Sequence, residues 1–271
     1  MPTLPYDDQT ILSVFEPLAL EAGRRIMDIC RQGFRTEEKA DHSPVTRADR
    51  EAEAIILSGL RTHFPDIPVV AEEESAAGLR PRVDGDVFFL VDPLDGTKEF
   101  VAGKGDFTVN IALVRGGEPV VGVVYAPALN TFYSGRPGRA EAAGTDSGHQ
   151  LVERRAIAVR RRKRPPIIVA SRSHRTPETD AYIARFADAK CVTVGSSLKF
   201  CLVAAGEADI YPRMSRTMQW DVAAGDAVLR AAGGTTRMLD GRPYRYGPGV
   251  VKDDDPFASP YFVSEGLPAE L

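Results

Sequence analysis

Apolar residues near the start of the chain recur at the spacing of an amphipathic helix. The pattern covers residues 11–29, where hydrophobic side chains return every three or four positions. Pro17 lies inside it, so we expect the helix either to kink there or to begin near it. A second pattern of this kind follows Thr46 and has its apolar face over 52–60. Pro65 is expected to end this second helix.

Hydrophobic residues then occur in short continuous runs, which indicates strands. The run 87–91 has no polar residue, as expected of a strand that is buried on both faces. The runs 107–114 and 119–125 flank Gly116-Gly117 and predict a hairpin. A shorter run at 69–71 predicts one more strand. The first half is therefore predicted to be α+β, with helices ahead of an antiparallel sheet.

The second half is predicted to alternate strands with helices. Residues 135–165 are rich in Gly, Pro and Arg, so we expect loops and an internal boundary there. We place the division at residue 140, which gives an N-terminal α+β half (1–140) and a C-terminal α/β half (141–271). The alternation favours an α/β layer arrangement. Strands are predicted at 167–170, 191–194 and 208–211, and helices at 177–187, 197–205 and 221–232.

The composition is that of an ordinary globular protein. Of the 271 residues, 43% are hydrophobic and 27% are charged, and the formal net charge is −4. A protein that binds a nucleic-acid polymer would usually have a basic excess, so we expect no such partner. The arginine-rich run 160–164 is expected to be a solvated loop. No apolar run has the length of a transmembrane segment.

The number and spacing of the cysteines indicate the cellular compartment. Three cysteines without a C-x-x-C pair favour a reducing compartment over a disulfide framework or a zinc site. No signal peptide is visible before Asp8. We therefore expect a cytoplasmic protein, and peripheral association with the inner membrane stays open. The sequence also leaves open whether the chain is a monomer or a homodimer.

The most informative local pattern is Asp92-Pro93-Leu94-Asp95-Gly96-Thr97, directly after the run 87–91. Two carboxylates three residues apart supply oxygen ligands for a hard divalent cation, and the carbonyl oxygen of Leu94 could add another. Gly96 permits close approach of the backbone to a ligand. Thr97 would begin a helical turn whose free N–H groups suit a phosphate. The alternative is an ordinary tight turn, because Asp, Pro and Gly are common in turns.

Three further acidic segments support a metal site when they are considered together with this motif. Glu72-Glu73-Glu74 follows the strand at 69–71, although an acidic triplet there is often a solvated loop. Asp221 begins a helix of small residues, where it could also be an N-cap. Thr46 and Asp49 have the spacing of a capping box. The chain shows no Ser/His/Asp arrangement and no Walker A motif, which favours carboxylates and metal over a covalent intermediate.

Taken together, these segments resemble the motifs of the inositol monophosphatase superfamily. All four stand in its order: Asp49, Glu72-Glu73, Asp92 to Thr97, and Trp220 to Gly225. Within the superfamily, the chain resembles the bacterial 3′(2′),5′-bisphosphate nucleotidases of the CysQ type. That resemblance extends from about residue 10 to the C-terminal strand and is weakest over 135–165. It rests on the segments 43–49, 92–100, 107–113, 122–127, 171–174, 195–201 and 211–213.

The resemblance implies a fold and a set of roles. The fold would be a layered α-β-α-β-α sandwich. Asp49 and Thr97 would pair to activate the attacking water, and Glu72 would also take part in catalysis. Two or three Mg²⁺ ions would be bound by oxygen ligands from Glu72, Asp92, Leu94 (its carbonyl group), Asp95 and Asp221.

The substrate implied by the resemblance is a nucleotide bisphosphate. Hydrolysis of the 3′-phosphate of adenosine 3′,5′-bisphosphate would give AMP and phosphate, and 3′-phosphoadenosine 5′-phosphosulfate is a second candidate. The alternative is an inositol monophosphatase or a sugar bisphosphatase with the same metal chemistry. The charged candidates for substrate binding could instead be ordinary surface charge. A substrate-binding role is predicted for Gly96, Thr97, Lys98, Arg172, His174, Ser196, Lys199, Arg213 and Asp221.

Overall fold

The computed structural model describes residues 5–39 and 43–270. Within these ranges, no helix combines the length and the apolar composition that a membrane crossing requires. A short 3-10 helix lies at Pro127–Leu129. The α-helices, in chain order, are α1 (Asp8–Gln32), α2 (Arg47–His63), α3 (Glu72–Ala76), α4 (Thr97–Val101), α5 (Pro177–Ile183), α6 (Leu198–Ala204) and α7 (Gln219–Ala231).

The strands form two large sheets and one small hairpin. They are β1 (Thr36–Glu38), β2 (Pro44–Thr46), β3 (Val69–Ala71), β4 (Val87–Asp95), β5 (Thr108–Arg115), β6 (Glu118–Ala126), β7 (Thr131–Arg136), β8 (Arg139–Thr145), β9 (Leu151–Ala156), β10 (Ile167–Ser171), β11 (Lys190–Val194), β12 (Ile210–Arg213), β13 (Thr235–Met238) and β14 (Phe262–Glu265).

The first sheet has seven strands in the order β3-β4-β5-β6-β7-β8-β9. Its neighbours are antiparallel except for β3 and β4, which are parallel. The second sheet has five strands in the order β11-β10-β12-β14-β13, of which β10, β11 and β12 are parallel. The strands β1 and β2 pair with each other. The predicted hairpin is confirmed by the antiparallel pair β5 and β6.

Helices cover and separate the two sheets. The helices α1 and α2 pack on one face of the first sheet, and α6 and α7 lie between the sheets. The helix α5 covers the outer face of the second sheet. The layers therefore follow the order α-β-α-β-α, which confirms the predicted fold.

The amphipathic pattern explains α1. Phe15, Ala22 and Ile26 lie on its apolar face and are fully buried against the first sheet. The helix begins at Asp8 and continues through Pro17. The expectation that it might begin near Pro17 is therefore wrong, because burial of the whole apolar face stabilises the turns on both sides of that proline.

Residues 135–165 differ from the prediction of loops. Strands β8 and β9 continue the first sheet to Ala156, so that prediction is wrong over 139–145 and 151–156. The buried positions of β8 are filled by small side chains such as Ala140 and Ala142, so the alternation of the strand gives little hydrophobic signal. The division into halves at residue 140 stays a prediction, and Ala140 itself lies within β8.

The arginine-rich run 160–164 is also more ordered than expected. Arg160 makes two hydrogen bonds to the buried carboxylate of Asp209, from Nε at 2.8 Å and from Nη2 at 2.9 Å. Asp209 also accepts the backbone N–H of Ile167, the first residue of β10. The prediction of a solvated loop is therefore wrong for Arg160, which anchors the start of the second sheet.

The sheet topology brings several strand ends together. Because β3 and β4 are parallel, their carboxyl ends lie side by side, and Ala71 pairs with Val91. The residues that follow, Glu72 and Asp92, are therefore neighbours. The parallel strands β10, β11 and β12 likewise end at one edge of the second sheet, which is where open α/β sheets usually bind ligands.

Candidate active site

Three carboxylates meet where β3 and β4 end. Glu72, Asp92 and Asp221 each place one carboxylate oxygen so that the three atoms lie within 4.8 Å of one another. Glu72 begins α3, Asp92 lies in β4, and Asp221 lies in the first turn of α7. The structure thus brings together three predicted metal ligands from distant parts of the chain. Their function as ligands stays a prediction.

Asp95 and Leu94 line the same cleft. The pairing of β4 with β5 shifts register between Asp92 and Asp95, so this part of β4 departs from regular alternation. Asp95 Oδ2 accepts a hydrogen bond from Ser197 Oγ at 3.2 Å, which connects it to the opposite side of the cleft. The backbone N–H of Leu94 donates to Asp92 Oδ1 at 3.0 Å. These contacts fix the motif around the acidic cluster.

Of the three consecutive glutamates, Glu72 joins the acidic cluster, Glu73 shares the ammonium group of Lys39 with it, and Glu74 pairs with another helix. Glu73 Oε1 accepts a hydrogen bond from Lys39 Nζ at 2.5 Å. Glu74 forms an ion pair with Arg61 of α2 at 2.6 Å. This arrangement agrees with the choice of Glu72 over its neighbours.

Lys39, which sequence reasoning did not single out, extends its side chain into the acidic cluster. Its Nζ lies 2.7 Å from Glu72 Oε1, and its side chain is only 10% exposed. Burial opposes the charge, but Glu72 and Glu73 raise the pKa of Lys39 above its ordinary value. The ammonium group therefore stays protonated and neutralises part of the acidic charge. Nothing in the local sequence around Lys39 marks it, because these contacts depend on the fold.

Burial and crowding favour the protonated forms of the clustered carboxyl groups. Burial raises the pKa of Asp92 well above its ordinary value, and the charge of Glu72 raises it further. Burial also raises the pKa of Asp95, to about 6, and the charge of Asp221 adds to this effect. Carboxylates at such distances cannot all stay ionised without positive charge between them. An all-oxygen donor set of this kind suits a hard divalent cation.

Asp49 and Thr97 form a hydrogen-bonded pair beside the cluster. Thr97 Oγ1 donates to Asp49 Oδ1 at 3.0 Å. The other carboxylate oxygen, Oδ2, accepts from Thr46 N at 2.7 Å, which confirms the predicted capping box of α2. Asp49 is only 1% exposed, whereas Thr97 lines the cleft, so Asp49 reaches the cleft through Thr97. Burial raises the pKa of Asp49.

Gly96 has a backbone conformation that the turn before α4 requires. Its φ is 95°, which is strained for any residue with a side chain. A Cβ atom at this position would also lie 3.2 Å from the backbone oxygen of Asp106. The helix α4 begins at the next residue, Thr97, which confirms the predicted helical turn.

Asp221 lies at the third position of α7 rather than at its N-cap. The helix begins at Gln219, so the N-cap interpretation of Asp221 is wrong. Its Oδ2 accepts hydrogen bonds from the backbone N–H of Met218 at 3.0 Å and from Thr217 Oγ1 at 2.6 Å. These bonds fix the carboxylate at the start of the helix while it remains within the acidic cluster.

The cleft has a volume of about 470 Å³ and two chemically different walls. We define the acidic wall as Glu72, Asp92, Asp95 and Asp221. We define the basic wall as His174, Ser196, Lys199 and Arg213. The predicted substrate-binding residues that line the cleft are Gly96, Thr97, Lys98, His174, Ser196, Lys199, Arg213 and Asp221.

Arg213 places a buried cation on the basic wall. It is the last residue of β12 and is 8% exposed. Its Nη2 donates to the backbone oxygen of Arg216 at 3.1 Å. Its Nε is buried and has no hydrogen-bond partner among the residues that the structure describes. Because an unpaired buried donor is costly, this guanidinium group is suited to an anionic ligand.

Lys199 and His174 are the titratable side chains of the basic wall whose pKa values are lowered. Lys199 Nζ donates to the backbone oxygen of Ser196, and burial lowers the pKa of Lys199 to about 8. Burial also lowers the pKa of His174, and the charge of Arg213 lowers it further. Burial therefore disfavours the charged forms of both side chains.

Arg172 is the predicted substrate-binding residue that does not line the cleft. Its Nη1 forms an ion pair with Asp106 Oδ2. Its Nη2 lies 3.4 Å from the backbone oxygen of Thr193 in β11. The structure therefore places Arg172 against Asp106 and not in the cleft, because a buried carboxylate that the sequence did not reveal attracts its guanidinium group.

Glu53 is a second side chain that sequence reasoning missed. Its carboxylate is 4% exposed and accepts the backbone N–H groups of Glu73 and Glu74, each at 2.8 Å. These bonds fix the start of α3, the helix that begins with Glu72 of the acidic cluster. A signal was available, because Glu53 lies on the same helical face as Ile56 and Leu60, where a charge needs a partner.

Glu99 also received no role from the sequence, although it lies in the segment 92–100. It is buried, lines the cleft and accepts a hydrogen bond from Ser173 Oγ. It therefore joins α4 to the turn after β10. The two residues lie 74 positions apart in the chain, so local sequence reasoning could not have found the contact.

The fold and the site define a class of protein. The chain matches the inositol monophosphatase family over residues 7–266. It therefore belongs to this family, as the order of the acidic motifs predicted.

Individual relatives are more specific. The 3′(2′),5′-bisphosphate nucleotidase CysQ of Escherichia coli (strain K12) is 46% identical over 235 residues, which cover 85% of this chain and 92% of the relative. The structure of CysQ from Bacteroides thetaiotaomicron has a TM-score of 0.77 at 35% identity, and the match covers 95% of this chain and 97% of that one. An IMPase from Thermotoga maritima has a TM-score of 0.72 at 27% identity, with coverages of 94% and 91%. The narrower resemblance to CysQ proteins is thus confirmed.

Proposed function

We propose that this chain hydrolyses the 3′-phosphate of adenosine 3′,5′-bisphosphate to AMP and phosphate. We propose 3′-phosphoadenosine 5′-phosphosulfate as a second substrate. The similarity to the E. coli protein named 3′(2′),5′-bisphosphate nucleotidase supports this activity. The main structural support is Arg213, a buried cation that lines the same cleft as the acidic wall and whose Nε has no partner among the described residues.

We propose Mg²⁺ as the cofactor, with two or three ions bound. The donor set fits a hard cation: the carboxylates of the acidic wall and the carbonyl oxygen of Leu94 would hold the ions. When bound, such ions lower the pKa of a coordinated water and offset the negative charge of the phosphate. The acidic wall by itself would repel a phosphate dianion.

Asp49 and Thr97 are proposed to accept the proton of the attacking water. Because the Thr97 hydroxyl donates its hydrogen to Asp49, a lone pair of its oxygen is available to a water in the cleft. The water would transfer a proton to Thr97 Oγ1 while the Thr97 proton moves to Asp49 Oδ1. The raised pKa of Asp49, caused by burial, suits this carboxylate to accept the proton. Water would attack phosphorus directly, without a phosphoenzyme.

The remaining cleft residues are proposed to bind the substrate. The backbone N–H groups of Gly96 and Thr97, together with Lys98, would bind oxygens of the phosphate that is cleaved. Arg213 would bind the second phosphate, because a guanidinium group donates two parallel hydrogen bonds to phosphate oxygens. His174 and Ser196 would face the nucleoside between the two phosphates.

A phosphate-release assay tests this function. The substrates are adenosine 3′,5′-bisphosphate, adenosine 3′-monophosphate, inositol 1-phosphate and fructose 1,6-bisphosphate, each with and without Mg²⁺. We expect Mg²⁺-dependent release, with kcat/KM highest for the bisphosphate nucleotide and about tenfold lower for the 3′-monophosphate. Preference for inositol 1-phosphate or the sugar bisphosphate would contradict the proposed substrate. Binding of the bisphosphate without release would contradict the proposed catalysis.

We also propose a cytoplasmic location. Cys30, Cys191 and Cys201 are free thiols in the structure, which fits a reducing compartment. Cell fractionation tests the location, including peripheral association with the inner membrane. Light scattering decides between a monomer and a homodimer.

A further inference from the structure

The segment 195–197 joins β11 to α6, lines the cleft and includes Ser196 of the basic wall. Ser196 has a φ of +50°, a left-handed conformation that is strained for a residue with a side chain. Its Oγ is buried and has no hydrogen-bond partner in the described part of the chain. Strain of this kind persists only where neighbouring groups fix the backbone. The contacts of segment 195–197 therefore determine its position in the cleft, where a substrate would bind.

Side chains from both halves of the molecule hold this segment. Lys199 and Ser197 hold it from the second half, through bonds to the backbone oxygens of Ser196 and Asp221. Asp106 holds it from the first half, since its Oδ2 accepts the backbone N–H of residue 195 at 2.6 Å. Asp106 lies in the connection between α4 and β5. Ser197 Oγ also accepts a hydrogen bond from Asn110 Nδ2 of β5 at 3.0 Å and lies 3.2 Å from Asp95 Oδ2 of β4, so Asp106 is one of several contacts between the segment and the first half.

Arg172 fixes the carboxylate of Asp106. Its Nη1 donates to the same oxygen, Oδ2, that accepts the N–H of Gly195. Although burial raises the pKa of Asp106, these two donors outweigh burial and lower the pKa below its ordinary value. The carboxylate of Asp106 is therefore ionised. It binds Arg172, which directly follows β10 of the second sheet, and the backbone N–H of Gly195 in the cleft segment.

Gly195 allows this contact to be unusually close. A Cβ atom on Gly195 would lie 2.5 Å from the backbone oxygen of Asp106 and 2.9 Å from its Oδ2. No side chain fits in that space, so the two backbones touch directly. A displacement of Asp106 is consequently passed to the segment and to Ser196.

We propose that Arg172 and Asp106 form a positioning pair that fixes segment 195–197 and thereby sets the affinity for the nucleotide. The identity of the substrate in this proposal rests on the proposed function. Arg172 acts through Asp106 and does not touch a phosphate. The side chain of Asp106 makes no hydrogen bond to the acidic wall in the described residues, and the bonds that hold Ser197 to Asp95 and to the backbone of Asp221 do not involve Asp106. KM should therefore change much more than the rate of hydrolysis at saturating substrate.

A double-mutant cycle tests the pair. The variants are Asp106→Asn, Arg172→Gln and the double variant, with Arg172→Lys as the conservative change. We expect KM for adenosine 3′,5′-bisphosphate to rise about tenfold in each single variant and kcat to stay within about twofold. The double variant should be no worse than the worse single variant, because both changes remove one interaction. Arg172→Lys should recover part of the lost affinity.

A comparison of substrates separates this proposal from direct contact. If Arg172 bound the second phosphate, Arg172→Gln would weaken the bisphosphate but not adenosine 3′-monophosphate, and its effect would add to that of Asp106→Asn. The positioning pair predicts similar losses for both substrates. Additive effects confined to the bisphosphate would overturn it.

Hydrogen exchange provides a readout that does not depend on any substrate. We expect the amides of 194–197 to exchange at least about tenfold faster in Asp106→Asn and Arg172→Gln than in the wild type. The control is Arg139→Gln, which removes the ion pair of an exposed arginine with Glu141 in β8 and should change nothing. Unchanged exchange in the Asp106 or Arg172 variants would refute the positioning pair even if the nucleotide is the wrong substrate. Arg172→Lys keeps the test valid should Asp106→Asn fail to fold.

Discussion

The acidic wall and the basic wall face one cleft, yet their side chains are fixed by different means. Asp92, Glu72 and Asp221 lie within or at the start of regular elements whose cores are buried. On the basic wall, Ser196 lies in a strained connection between β11 and α6. The ammonium group of Lys199 donates hydrogen bonds to the backbone oxygens of Val194 and Ser196. The difference teaches that the two walls are fixed largely by different contacts. They are joined through Ser197 Oγ, which lies 3.2 Å from Asp95 Oδ2, so a change in one wall can reach the other by this contact.

The largest expected effect comes from breaking the acidic wall. Asp92→Asn removes a buried charge from the oxygen cluster, so we expect Mg²⁺-dependent kcat to fall by at least about 1000-fold. Isothermal titration should also show weaker Mg²⁺ binding. Asp66→Asn, an exposed change far from the cleft, is the control and should keep full activity. Intact Mg²⁺-dependent turnover in Asp92→Asn would show that the metal assignment is wrong.

A smaller and more selective effect should follow from breaking the basic wall. Arg213→Gln removes the buried cation proposed for the second phosphate, so KM for adenosine 3′,5′-bisphosphate should rise about 10- to 100-fold. KM for adenosine 3′-monophosphate should change by less than about threefold. Steady-state kinetics with both substrates measures the difference. An equal rise in KM for the two substrates would mean that the second phosphate binds elsewhere. Arg237→Gln at the protein surface is the control.

The smallest expected effect concerns stability and compares the acidic wall with and without metal. Burial raises the pKa of Glu72 from 4.5 to about 8. The folded protein therefore holds this proton more tightly than the unfolded chain does. That contribution to the free energy of unfolding is complete below the unfolded pKa and is lost as the pH rises through the folded value. The Tm of the metal-free protein should thus fall between pH values of about 5 and 8.

Added Mg²⁺ should oppose that trend. Because the ion binds the ionised carboxylates of the folded state, its gain in Tm should be larger at a pH of about 8 than at about 5, by at least about 4 °C. Differential scanning calorimetry measures both series. The same gain at both pH values would mean that the clustered carboxyl groups do not release protons when the ion binds.

Patterns with a fixed local spacing were predictable from the sequence. The hairpin β5–β6, the capping box of Thr46 and Asp49, and the helical turn at Thr97 all depend on neighbours within a few residues. The meeting of Glu72, Asp92 and Asp221 followed from recognising the order of motifs, because no local rule brings residues so distant in sequence together.

The features that were missed depend on tertiary neighbours. Strand β8 uses alanines for its buried positions, so composition resembled a loop. Arg172 was assigned to the substrate because arginine suits phosphate, but the unforeseen carboxylate of Asp106 binds it first. In both cases the partner that determines the contact lies in another part of the chain.

The ammonium group of Lys39 contacts the acidic wall directly. Its ammonium lies 2.7 Å from Glu72 Oε1, so one positive charge is already present at the carboxylates. A divalent cation bound at these carboxylates would compete with this ammonium group for Glu72, so its affinity would reflect both interactions. The lysine lies just after strand β1, so this competition would also connect ion binding to the position of that small hairpin. A resident counter-ion of this kind offsets part of the repulsion among the carboxylates when no metal is bound.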